Sequence, residues 1–157
     1  MEKKWKDQWD ECIPADSIRN EISEETVKFA EKFGKHLAKN GKHTETRFNS
    51  KKQIQESFPV EESKLTTSQL RKFFGEVKRQ QMMGYKESSF VLLKPKLAYA
   101  VGRAKDGKKY YKIEDLYNVL SNAIDVVTSD ETTDKQKAFK NFIAIFEAIV
   151  AYHKAAE

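Results

Sequence analysis

The chain has a single cysteine, Cys12, among 157 residues, which excludes a disulfide framework and a thiolate metal site. Its three histidines, His36, His43 and His153, fall in different segments with no carboxylate pair at ligand spacing. His36 and His43 are seven residues apart, but Asn40-Gly41 interrupts the helix between them. A zinc site would need more grouped ligands than this. Glycines are few and none belongs to a phosphate-cradling loop, and no serine sits in a nucleophile elbow. The histidines are therefore expected at the surface or in packing. No catalytic residue, metal or other cofactor is expected, and an enzyme is not. No apolar run approaches the ~18 residues a membrane span requires. The start, Met-Glu-Lys-Lys-Trp-Lys-Asp, has no apolar signal core. The expected compartment is cytoplasmic, with no membrane partner.

What the chain does have is positive charge in one place. Lys64 to Lys109 carries twelve lysines and arginines against Glu76, Glu87 and Asp106. The net charge of the whole chain is +5, whereas residues 1–50 balance bases with acids and 110–157 is net acidic. Positive charge gathered in one segment suits a polyanion.

Apolar spacing gives helices. Ser23 before Glu24-Glu25 is an N-cap, and Val27, Phe29, Ala30, Phe33, Leu37 and Ala38 recur at helical spacing up to Asn40-Gly41. Thr66-Thr-Ser-Gln69 fits a capping box, followed by the stripe Leu70, Phe73, Phe74, Val77, with Gly84 as the stop. Pro95 either opens a helix at its first turn or kinks a longer one that reaches Arg103. Lys105 to Lys108 reads as a turn. Further helices run from Ile113 to Val127 and from Phe139 to His153. Residues 1–16, with Trp5, Trp9 and Pro14, form an N-terminal arm that either docks through its tryptophans or stays loose. Residues 42–64 read as a polar, basic loop with one short helix near 51–58. No segment alternates with period 2. The expected fold is all-α: a single-domain bundle of about five helices over 17–157.

Two helices carry the basic residues. In the first, Arg71, Lys72, Gly75, Lys78 and Arg79 share an arc opposite Leu70, Phe73, Phe74 and Val77. A glycine inside a helix costs ~1 kcal/mol, which close approach of a phosphate backbone would explain. A solvated basic face is the plainer reading of that helix taken alone. In the second, Lys96, Tyr99 and Arg103 share a face, with Lys94 beside them and Leu97, Ala98 and Val101 toward the core. Lysine and arginine neutralise phosphates, and a tyrosine either stacks or bonds a sugar; otherwise Tyr99 is a core aromatic. Lys51, Lys52 and Arg47 add charge in the polar loop. Glu147, among phenylalanines and isoleucines, is expected to need a partner such as Arg103 or Arg71. If it takes Arg103, that arginine is a structural ion-pair member and leaves the binding face.

Leu65-Thr-Thr-Ser-Gln-Leu-Arg71, Lys96-Leu-Ala-Tyr-Ala-Val-Gly-Arg103 and Glu147-Ala-Ile-Val-Ala-Tyr152, in that order and spacing, resemble the small helical subunit of type III-A CRISPR effector complexes, the Csm interference complex. The resemblance covers roughly Ser23 to Lys154. It implies a non-catalytic protein in an RNA-guided antiviral complex, stacked head to tail with other copies of itself. Its implied partners are target RNA and CRISPR guide RNA, the large subunit and the RNA-binding backbone subunits. Contact would be with the sugar–phosphate backbone, mainly of target RNA. The residues it assigns to RNA are Arg71, Lys78 or Arg79, Lys96, Tyr99 and Arg103. Residues 1–16, the long 42–64 segment and the ending Lys154-Ala-Ala-Glu157 depart from the family pattern. The alternatives are a helical interaction module whose basic face binds an acidic partner, and a sequence-specific DNA-binding protein. No helix-turn-helix spacing recommends the last.

Overall fold

The computed structural model describes residues 9–105 and 109–157. Trp5 and most of the expected turn at 105–108 lie outside them. The elements in chain order are α1 (Ala15–Arg19), α2 (Glu24–Ala38), β1 (Gly41–Asn49), β2 (Ile54–Ser63), α3 (Thr67–Met83), α4 (Glu87–Phe90), α5 (Leu93–Ala104), β3 (Tyr110–Tyr111), α6 (Ile113–Thr128) and α7 (Lys135–Ala156).

The long helix α7 is the axis of the core. It buries Phe139, Phe142, Ile143, Ile145, Phe146 and Ile149, and α1, α2, α3 and α6 all pack on it. Gly34 marks the closest approach of α2: a Cβ there would come within 2.8 Å of the Ile149 carbonyl oxygen and 2.9 Å of the His153 nitrogen. α5 lies on α6. The helix ends follow the local chemistry. Ser23 accepts a hydrogen bond from the Thr26 N–H, and Asp134 from the Lys137 N–H. Thr66 and Gln69 form the full capping box of α3, which stops at Gly84 with φ +89°. Pro95 falls in the first turn of α5, where its missing N–H has no intrahelical partner to lose.

The all-α expectation is corrected by the sheet. Residues 42–64 form neither a loop nor a short helix. They form a long hairpin in which β1 pairs antiparallel with β2 from Gly41↔Glu62 to Asn49↔Ile54. β2 then pairs in parallel with β3, at Glu62↔Tyr110 and Ser63↔Tyr111, giving a mixed sheet in the order β1-β2-β3. The fold is α+β. Of the hairpin residues only His43 and Val60 are buried, while one whole face (Lys42, Thr44, Thr46, Phe48) is exposed. Apolar alternation, the usual sign of a half-buried strand, is therefore missing. Pro59 also argues against a strand, but beyond Glu62 and Ser63 β2 is an edge, where proline is tolerated.

Polar groups bolt the sheet to the helices. The buried Asp115 accepts hydrogen bonds from His36 Nε2 at 2.7 Å, from the Trp9 N–H at 3.2 Å and from the Tyr110 hydroxyl. Lys112 Nζ donates to the His36 carbonyl at 2.7 Å and faces Glu62 at 3.9 Å. Glu62 in turn meets His43 Nδ1 at 2.7 Å. Burial and the nearby Asp115 charge push the Tyr110 hydroxyl well above its ordinary value. Burial pulls the Lys112 amine down, and Glu62 and Asp115 oppose that. Trp9 packs on Phe29 and Phe33, so this part of the expected arm is docked on α2. His153 donates to the Leu65 carbonyl at 2.7 Å and is buried.

A cation-lined groove between two helices

α3 sits on α7 and α5 sits on α6, and the two upper helices leave a groove between them. Along it, Glu76 meets Lys96, Lys72 and Phe73 lie across from Ala100 and Arg103, and Gln69 lies across from Ala104. The two helices therefore run antiparallel. The part beside the start of α5 holds 510 Å³; the buried Phe73 and Leu93 floor it, the half-buried Ala100 lines its wall, and the exposed Pro95, Lys72, Lys96 and Arg103 rim it. It continues through a 300 Å³ depression at Gln69 and Ile113 into a 370 Å³ one at Lys64, Asn40 and Tyr111. A channel thus runs from the start of α5 to the base of the sheet.

Tyr99 is not a core aromatic. Its side chain is 69 % exposed on the groove, with the Arg103 guanidinium 5.9 Å from the ring centre. Glu76 is the residue the sequence pattern did not single out. Its carboxylate accepts from Arg79 Nη2 at 2.7 Å and Nε at 3.0 Å, from Lys96 Nζ at 3.1 Å and from Gln80 at 3.3 Å. These contacts hold its carboxyl down to about 2. The Arg79 hydrogen bonds are the main cause, partial burial works against them, and Lys96 and Gln80 add to the lowering. The i, i+3 spacing of Glu76 and Arg79 was the available signal. Phe73, the groove floor, was visible only as a core position.

The expected site residues divide among several places. Lys72, Lys96, Tyr99 and Arg103 share the groove. Arg71 lies round the other side of α3, in a 290 Å³ depression against α7 with Glu147 and Lys154. Lys78 Nζ stands 5.9 Å from the Phe74 ring on that side, and Arg79 is held by Glu76. Lys94 pairs with Asp125 at 2.6 Å. Lys51 and Lys52 sit at the hairpin turn, Lys52 paired with Glu56 at 3.4 Å. Among the described residues no ion pair engages Arg71, Lys72, Lys78, Arg103 or Lys51. The expected Glu147–Arg103 pair is not formed, because Glu147 is exposed on α7 and the two residues line different depressions. A carboxylate in water needs no buried partner. Ala98 is exposed rather than turned to the core.

Among the described residues there is no cluster of three or more histidine, cysteine, aspartate or glutamate side chains able to hold a metal. None of the described helices is long and apolar enough to cross a membrane.

The family model described as Csm2 Type III-A matches residues 49–157. The chain belongs to the Csm2 type III-A family. It is thus a small Csm subunit of type III-A CRISPR complexes. The matched span opens at the hairpin turn and contains β2, both groove helices, α6 and α7. No curated protein and no solved structure matches the chain.

Proposed function

We propose that this chain is a non-catalytic, RNA-holding subunit of the type III-A complex, and that the α3–α5 groove is its RNA face. It binds the sugar–phosphate backbone of the guide–target duplex, mainly the target strand, without reading sequence. It stacks with neighbouring copies in the cytoplasm, beside the large subunit and the RNA-binding backbone subunits. The observation that carries this reading is the convergence of Lys72, Lys96 and Arg103, from two antiparallel helices, on one groove. A duplex of variable sequence can be gripped only by shape and charge, and cations on rigid helices supply both. The ion pairs at the rim do not oppose this. Lys96 and Arg79 are more than half exposed, and pairs of that kind contribute only about 0–1 kcal/mol, so a phosphate can displace the carboxylate.

Charge reversal of Lys72 and Arg103 together tests the proposal. Target RNA should dissociate from the assembled complex at lower salt, with the subunit still folded by circular dichroism. Unaltered retention across a salt titration would argue against it. A second reading has one observation in its favour: Glu76 shows that these cations accept a carboxylate. An acidic protein partner would then occupy the groove, and RNA crosslinking at Tyr99 would be absent.

A further inference from the structure

The hairpin is the part of the molecule that neither the core nor the groove explains. β1 and β2 have nine and ten residues, about 30 Å of ribbon at the usual strand rise. Its root is tied down through β3 and the Glu62–Lys112 contact. From Thr44 to Pro59 no residue is buried. A two-stranded ribbon standing alone in water is marginally stable, so this one gains from any surface that covers it. Its charge is divided along its length. The root carries Glu61 and Glu62, whereas from Thr46 to Gln55 the only charged residues are Arg47, Lys51 and Lys52. Lys52 meets Glu56 at 3.4 Å with most of its side chain in water, a pair weak enough to be displaced. Two large apolar side chains stand beside these cations: Phe48 is 56 % exposed and Ile54 50 %. Phe48 pairs with Gln55 and Ile54 with Asn49, so the two lie one step apart on opposite faces of the ribbon. A partner lying flat on either face would cover one of them, whereas a partner meeting the tip end-on covers both.

The complementary surface is at the other end of α2. β1 leaves from the C-terminal end of that helix; its N-terminal end lies about 22 Å away. There Asp16, Glu21, Glu24, Glu25, Asp130 and Glu131 are all exposed. Arg19 joins the α1–α2 carboxylates to the turn after α6, reaching Glu131 at 3.6 Å and Thr132 at 3.0 Å. Lys28 is engaged with Glu24 at 3.8 Å. Among the described residues no ion pair engages Glu21, Glu25 or Asp130. Between these carboxylates Ile22 and Val27 are 37 % and 40 % exposed. They flank the Ser23 cap at the two positions that pack together as a hydrophobic staple. One end of the chain is thus cationic with two bare apolar side chains, and the other is acidic with two more. An RNA strand would use the cations of the tip and gain nothing from Ile54, so the tip fits this protein surface better than it fits a polyanion.

We infer that the hairpin tip of one copy docks on the α1–α2 end of a second copy, with Phe48 and Ile54 against Ile22 and Val27, and Arg47, Lys51 and Lys52 among the carboxylates. This rests on the stacking in the proposed function and names the surfaces that make it. The two patches differ and sit at opposite ends of α2, so the contact is heterologous and extends into a row instead of closing as a two-fold dimer.

The test is sedimentation of the full chain at low salt with two double charge reversals: Lys51→Glu with Lys52→Glu at the tip, and Glu21→Lys with Glu25→Lys at the receiving end, each checked for folding by circular dichroism. The wild type should grow past the mass of a dimer as concentration rises and fall back to monomer at high salt. Each reversal alone should weaken association at least about tenfold. An equimolar mixture of the two should associate again, because each supplies the end that the other lacks. Wild-type association that survives both reversals would overturn the hairpin contact and leave stacking through another surface. Two weakened variants that stay monomeric when mixed would also overturn it. A wild type that remains monomeric up to about 1 mM would overturn the contact and the stacking together. Tip reversal that weakens RNA binding and leaves association unaltered would give the tip to RNA instead.

Discussion

Glu76 and Gly75 are neighbours in α3 with opposite effects on an approaching anion. Glu76 is ionised at any neutral pH, since its carboxyl is held at about 2, and it competes with phosphate for Arg79 and Lys96. Glu76→Gln should therefore raise RNA affinity about two- to fivefold at low salt, measured by anisotropy, while lowering stability by less than about 1 kcal/mol. The pH dependence has a definite sign. A carboxyl lowered by its native partners stabilises the fold fully above its ordinary value of 4.5, and that contribution fades as pH falls toward about 2. The stability difference between wild type and Glu76→Gln should be flat above pH 4.5 and close to zero at pH 2, read from urea unfolding. Gly75 has nothing within 4 Å of where a Cβ would stand. Gly75→Ala should then stabilise α3 by about 0.5–1 kcal/mol, seen as a higher unfolding midpoint. If a strand passes over this turn, the same change weakens RNA binding; unaltered affinity would exclude that path. The cationic arc was legible because 100° steps place Arg71, Lys72 and Lys78 without further information. Which side of the helix each would join was not, since that depends on α5 and α7 lying on either flank.

At the scale of elements, the long helices announce themselves, whereas the short α1 and α4 and the strands do not. A helix buries a stripe, and the stripe on α7 is continuous from Phe139 to His153. The capping box at Thr66 is a local motif, so the start of α3 followed from four residues. The hairpin is held by backbone pairing and by its polar base, with few apolar side chains to reveal it. β3 has two residues, below any pattern. Its anchorage depends on Asp115, which the apolar spacing of α6 hides between Ile113 and Leu116. Asp115→Asn removes a buried charge that faces His36, Tyr110 and the Trp9 N–H. It should cost about 3 kcal/mol in urea unfolding and reduce hydrogen-exchange protection at Tyr110–Lys112 more than in α7. Uniform loss along the chain would mean that the sheet and the helices unfold as one unit.

At the scale of the whole molecule, part of the basic segment converges where two helices fail to close over the layer beneath them. Lys72, Lys96 and Arg103 stand at one end of that channel, and Lys64 lines its far end. If three of these neutralise phosphates of one strand of the duplex, the logarithm of affinity should fall against the logarithm of salt with a slope between about −2 and −3. The slope should be the same for unrelated RNA sequences, and a slope that changes with sequence would indicate base reading. The sequence by itself determined the helical periods, the caps, the basic segment and the family, because each is a property of residues close together along the chain. The tertiary structure alone decided that 42–64 is a hairpin, that Glu147 stays in water apart from Arg103, and that Glu76, besides its helical neighbour Arg79, holds Lys96 from α5. Those outcomes rest on which surfaces meet across long sequence separations, and on backbone hydrogen bonds that any side chain can accompany.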